Sequence, residues 1–169
     1  TDSERWLELR QLLTRFIAVC QTMEYAHDRG VLHRDLKPGN IMLGKYGETL
    51  VIDWGLAKAC GTQQRERLSQ HSPLIPASGS SVETVQPIGT LNYMSPEQAA
   101  GDSSQLGPAT DVFALGATLY HLLTGQTVYQ GIPKQDLLVA VQAARFPPPR
   151  KILATIPAAL EAICLRALA

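Results

Sequence analysis

Apolar residues recur at helical spacing through the first thirty positions. Leu9, Leu12, Leu13, Phe16, Val19, Cys20 and Met23 fall three or four apart, and Gly30 ends the pattern. That spacing predicts a helix with one apolar face, stopped by a residue free to turn left-handed. The texture then shortens to "VL", "IML" and "TLVI", with "GKYGE" between the last two. Two brief strands around a Gly-containing turn fit these pieces best. Over residues 59–86 the chain is rich in Ser, Pro and Gly and shows no period. A loop of that length inside a compact domain is either functional or disordered. Helical spacing returns near 96–100, 109–124, 134–144 and from 158 onward, while "RFPPPRK" is expected to be non-helical because its prolines lack the N–H a helix needs. The expected fold class is therefore mainly α with a small β-hairpin, and no internal repeat interrupts it.

Composition narrows the function classes. The 169 residues are 45% apolar, enough for one domain with a sizeable core. Fifteen basic residues balance fifteen acidic ones, so charge gives no reason to expect nucleic acid or an anionic membrane as partner. The longest apolar run, over 112–123, is shorter than the ~20 residues a bilayer requires. No membrane contact is expected from this segment, and "TDSERWLELR" is too charged for a signal peptide. Cys20, Cys60 and Cys164 are sparse and match no metal or redox spacing. Unpaired thiols in a reducing, cytoplasmic setting are the expectation, with any membrane anchor lying outside this segment.

The chemistry concentrates in "HRDLKPGN", His33 to Asn40, where charged and polar groups crowd between apolar flanks. Asp35 and Asn40 bracket a loop, and Asp53 follows the strand "LVID". A hairpin between Asn40 and Asp53 folds the chain back, so both side chains can face one site. A carboxylate and an amide carbonyl are hard oxygen donors that suit Mg²⁺, with Mn²⁺ as the alternative ion, rather than zinc. So few protein ligands imply that substrate phosphates complete the shell. Asp35 is then free to accept a proton from a hydroxyl nucleophile, and Lys37 supplies a point charge for a phosphoryl group. His33 reads first as a packed core histidine. His27, His71 and His121 have no partner visible in the sequence.

These motifs resemble those of the protein kinase family. "HRDLKPGN" is similar to the catalytic loop H-R-D-L-K-P-x-N, and "DWG", Asp53 to Gly55, to the metal-binding D-F-G. "GTLNYMSPE" resembles the end of the activation segment, and "DVFALGATLYHLLTG" the D-V-x-S-L-G helix of the larger lobe. The order and the Asp35–Asn40 interval also match, closest to the bacterial, eukaryotic-like (Hanks-type) serine/threonine kinases. The resemblance implies a kinase C-terminal lobe that transfers phosphate from ATP to Ser and Thr hydroxyls of proteins. It implies Asp35 as catalytic base, Asn40 and Asp53 as metal ligands, and Lys37 with Thr90 as the serine/threonine pairing. Arg34 would bind a phosphorylated activation loop, His33 and Trp54 would stack in an apolar column, and Met42 would lie beneath the adenine. Asp111 would hydrogen-bond the catalytic-loop backbone, unless it serves only as the N-cap of its helix.

The departures from the family carry expectations too. A Gly-rich nucleotide loop, a strand lysine and a partner helix glutamate have no counterpart here. The resemblance therefore implies that residues 1–169 are a partial kinase domain, without its small lobe and extreme C-terminal end, and with an activation segment of about 53–97. The missing small lobe of the same chain would be a partner, and the isolated chain is expected to have little or no activity. Arg166 lies too early to pair with Glu97, so Glu97 is expected to be exposed, protonated or displaced. Ser69, Ser72, Ser78, Ser80, Ser81 and Thr84 are candidate phosphosites. The competing reading is a non-catalytic, pseudokinase-like scaffold that docks proteins near Thr90. Retention of Asp35, Asn40 and Asp53 weighs against it. A Mg²⁺ phosphatase using Asp35 as nucleophile lacks the D-x-D arrangement it would need.

Overall fold

A computed structural model describes residues 2–59 and 88–169. Helix α1, Asp2–Asp28, carries the opening pattern. Val19, Met23 and Ala26 are buried on one face, with Leu9, Leu13 and Phe16 partly buried beside them. Leu12 departs from the expected stripe at 38% exposure. It lines an open apolar groove with Trp6, Leu9, Leu122 and Leu153 instead of meeting the core. Gly30, at φ 68°, closes α1 by donating its N–H to the His27 carbonyl at 2.8 Å, the left-handed stop that favours glycine.

The predicted hairpin is present as β2, Ile41–Leu43, antiparallel to β3, Thr49–Val51, with Ile41 opposite Val51 and Met42 opposite Leu50. Gly47 takes φ 106° in the turn, where a Cβ would be strained. A second pair goes beyond the two strands expected: β1, Val31–Leu32, runs antiparallel to β4, Lys58–Ala59. Strands of two residues hold no periodicity to read. Short 3₁₀ turns at Pro38–Asn40 and Trp54–Leu56 connect these pieces.

The second half is helical: α2 Ile88–Leu91, α3 Pro96–Ala99, α4 Pro108–Thr124, α5 Lys134–Gln142, α6 Pro149–Ile152 and α7 Ala158–Ala167. Helix α6 corrects the non-helical expectation for "RFPPPRK". Pro149 occupies the first turn of α6, where a missing N–H costs nothing and a fixed φ helps. The prolines before it stay extended and dock on α4: Tyr120 donates its hydroxyl to the Pro147 carbonyl at 3.0 Å. Phe146 meets the rings of Tyr120 and Tyr129 edge-on.

Helix α4 is the central post. Most of its residues from Thr110 to Tyr120 are buried, so it is apolar nearly all round, as an enclosed helix must be. One cluster packs α4 against α5 and α7 through Phe113, Ala117, Tyr120, Leu137, Val141 and Cys164. A second joins Val19 and Met23 of α1 to Leu36 of the charged loop and to Ala114 and Leu115 of α4. Leu36 is 1% exposed, and burying such a side chain contributes about 1.5–3 kcal/mol. That anchor holds the polar loop against the core. Cys20 and Cys164 are free thiols, while Cys60 and His71 lie outside the described residues.

Candidate active site

The loop after β1 follows an unusual backbone path. Arg34 adopts φ 67°, a region that costs a non-glycine residue on the order of 1–3 kcal/mol. Its surroundings hold it there. Asp111, fully buried on α4, accepts the His33 N–H at 2.9 Å and the Arg34 N–H at 2.8 Å. His27 of α1 donates Nε2–H to the same carboxylate at 2.8 Å. Three donors satisfy a charge that would otherwise be costly to bury. Gly107, not Asp111, is the N-cap of α4, so Asp111 lies inside the helix with its carboxylate turned to the loop. His27 therefore has a partner that the sequence did not reveal. His121 has one too, since the Tyr93 hydroxyl and His121 Nδ1 share a hydrogen bond at 2.6 Å. The sequence holds no local sign of either contact, because His27 and Asp111 are 84 positions apart.

His33 is fully buried, as a packed histidine should be. Its Nδ1 accepts the Asp35 N–H at 3.3 Å and its Nε2 meets the Ile52 carbonyl at 3.0 Å. Those partners assign the ring proton to Nε2. The His33 and Trp54 ring centroids lie 4.7 Å apart, tilted by 56°. Trp54 also donates its indole N–H to the Val51 carbonyl at 3.0 Å.

Asp35 is buried, and its two oxygens differ. Oδ2 accepts Lys37 Nζ at 2.7 Å and Asn40 Nδ2 at 3.2 Å. Oδ1 is buried with no hydrogen-bond partner in the described structure. Lys37 extends the network to the Thr90 hydroxyl at 3.1 Å, which joins the charged loop to the segment that begins at α2. Asn40 also donates Nδ2 to the Asp35 carbonyl at 2.7 Å. With its nitrogen engaged twice, Asn40 keeps its amide oxygen as the donor atom for another ligand. Asp53 is exposed and left-handed, at φ 61°, a conformation that aspartate tolerates better than most side chains. The β2–β3 register puts Asn40 and Asp53 at the same end of the hairpin, where the Ile52 N–H donates to the Asn40 carbonyl at 2.9 Å. The two oxygen donors fit a hard cation completed by phosphate and water. Among the described residues no group of three His, Cys, Asp or Glu side chains could hold a metal on its own.

Other sequence-derived sites fall around this centre. Met42 is 54% exposed on the hairpin face. Glu97 is half-buried and accepts the Thr110 hydroxyl at 2.7 Å. Of the three outcomes expected for it without an arginine, exposed, protonated or displaced, exposure is not the one seen. Two residues escaped the sequence reading. Ser95 is the N-cap of α3, with Gln98 completing a capping box, a pattern legible as S-x-x-Q. Gln98 also donates Nε2–H to the Arg34 carbonyl at 2.7 Å. The candidate phosphosites lie outside the described residues.

A helical lobe built on a buried central helix, with an Asp–Lys–Asn loop and an aspartate after a hairpin, defines a class. The chain belongs to the protein kinase family, whose protein kinase domain matches residues 3–155. It is 45% identical over 114 residues to "Serine/threonine-protein kinase PknD" of Protochlamydia amoebophila (strain UWE25), covering 67% of this chain and 11% of that protein. The protein of the same name from Chlamydia pneumoniae is 35% identical over 167 residues, 93% of this chain and 17% of the relative. "Serine/threonine-protein kinase PknB" of Mycobacterium tuberculosis (strain ATCC 25177 / H37Ra) is 38% identical over 153 residues, 89% and 21% of the two chains. The chain thus spans about a fifth or less of the length of these relatives. The fold also matches the twitchin kinase region from C. elegans, with TM-score 0.73 and 22% identity over 95% of this chain and 25% of that one. Among the described residues no helix is long and apolar enough to cross a membrane.

Proposed function

We propose that this chain is the C-terminal lobe, residues 1–169, of a serine/threonine kinase domain that works with a small lobe on the same polypeptide. The intact domain transfers the γ-phosphoryl group of ATP to Ser and Thr hydroxyls of proteins. One observation carries the reading: the divided carboxylate of Asp35. Lys37 and Asn40 fix Oδ2, and Oδ1 is left as a buried acceptor aimed by that clamp. An acceptor so held can orient a hydroxyl and take its proton. Lys37 places positive charge beside the same point, and Thr90 holds the ammonium in line. Asn40 and Asp53 would hold Mg²⁺, or Mn²⁺ in its place, through their side-chain oxygens. Held there, such an ion would supply positive charge to offset the charge that develops on phosphoryl transfer. Met42 offers an apolar surface for adenine, and Arg34 is suited to a phosphate on the segment between Asp53 and Glu97. The work is positioning and electrostatics rather than covalent catalysis. The setting is cytoplasmic, with any anchor outside this segment.

The test is Mg²⁺-dependent phosphate incorporation from ATP by the domain with its small lobe present. Asp35→Asn should lower it by at least about a hundredfold, as loss of a general base does, while ATP binding persists. The 169-residue chain alone should label little. A folded wild type that binds ATP and transfers nothing would sink the reading in favour of the scaffold.

A further inference from the structure

The peptide unit between Arg34 and Asp35 sets the direction in which Asp35 leaves the backbone. Three groups grip that turn. Asp111 takes the Arg34 N–H at 2.8 Å, and His33 Nδ1 takes the Asp35 N–H at 3.3 Å. The third is Gln98, whose Nε2–H meets the Arg34 carbonyl at 2.7 Å. A carbonyl at that distance can be met only by a donor, so the neighbours fix which end of the amide is which. The other end, Oε1, accepts the Ser95 N–H at 3.2 Å. One side chain thus ties the cap of α3 to the strained residue next to Asp35. Helix α3 shares its segment with Thr90, the residue that holds Lys37.

We propose that Gln98 is a positioning residue for phosphoryl transfer. Its amide locks the substrate-side segment, residues 88–99, to the catalytic loop and so sets the direction of Asp35. The inference rests on the role given to Asp35 above. It is separable from helix capping, because the two halves of the amide do different things. The Nε2–H grips the loop, and Oε1 caps α3.

Two variants of the intact domain divide these halves. Gln98→Glu keeps an acceptor at the position where a capping box favours Glu, and a negative charge near a helix start is favourable. It removes the donor to Arg34. Gln98→Lys keeps a donor that can reach the Arg34 carbonyl and loses the acceptor for Ser95. Capping alone ranks Glu at or above Lys in both stability and turnover. Positioning reverses the order in turnover. In Gln98→Glu, kcat should fall about tenfold or more, as small misplacements of reacting groups do, with the KM for ATP within about twofold and a melting temperature at or above that of Gln98→Lys. Gln98→Lys should recover part of that kcat despite melting lower. Hydrogen exchange at the His33, Arg34 and Asp35 amides supplies a readout independent of activity and should quicken in Gln98→Glu only. A folded Gln98→Glu domain with wild-type kcat and wild-type exchange overturns the inference. A wild type that transfers no phosphate overturns the proposed function instead, and the exchange result then decides Gln98 alone.

Discussion

At the scale of one residue, Asp111 shows how the charged loop that carries Asp35 is held from outside itself. Its carboxylate accepts two loop N–H groups and the ring of His27 while wholly buried. Asp111→Asn keeps the shape but offers one acceptor oxygen where three donors converge, and turns an NH₂ group toward at least one of them. An unsatisfied buried donor costs about 1–3 kcal/mol. The substitution should lower the unfolding free energy of the kinase domain by that order, measured in urea, and loosen exchange protection at His33 and Arg34. Wild-type stability and protection would contradict this account. The sequence made part of the arrangement legible, since the motif around Asp111 implied a bond to the loop backbone. The His27 contact was illegible because only tertiary packing brings α1 to α4. Gln98 lay in between: its cap was written locally as S-x-x-Q, but its grip on Arg34 joins residues 64 positions apart.

Elements show a different boundary between legible and hidden. Long helices announced themselves because α1 repeats a buried face over several turns and α4 is apolar nearly all round. The β1–β4 pair and α6 did not, one too short for a period and the other opened by a proline that also reads as a breaker. Where α4 crosses α7, the sequence shows only a glycine, and its reason is proximity. A Cβ on Gly116 would lie 2.9 Å from Ala167 Cβ and 3.0 Å from Leu168 Cγ. Cys164 Sγ rests 3.5 Å from the Gly116 carbonyl. Gly116→Ala therefore gains helix propensity and loses more by pushing the two helices apart. Overpacking of this kind costs about 1–3 kcal/mol. The expected result is a lower urea midpoint with unchanged slope. A midpoint at or above wild type would mean that α7 gives way freely.

Across the whole molecule, the two apolar clusters divide the labour. The one containing Leu36 seats the loop that carries Asp35, and the one between α4, α5 and α7 carries titratable groups that no part of the candidate site uses. Burial pushes the Cys164 thiol from its ordinary 9.0 up to about 12, with the charge of Glu161 adding to it. Burial alone pushes Tyr129 from 10.0 to about 12, and its hydroxyl has no hydrogen-bond partner in the described structure. Tyr120 is raised as well, first by burial and then by its proximity to Cys164. Each folded value lies above the unfolded one. Between about pH 9 and 12 the unfolded chain therefore releases protons that the folded chain retains, and the unfolding free energy falls as pH rises. Below pH 9 these groups are protonated in both states and contribute no slope. Urea melts of the kinase domain should show little contribution from them up to about pH 9 and a decline above it. Tyr129→Phe should make that decline shallower, because the phenol that resists ionisation is gone. A stability that holds or rises from pH 9 to 11 would show that this cluster opens to water without unfolding, and that α7 is not the fixed wall against which α4 positions Asp111.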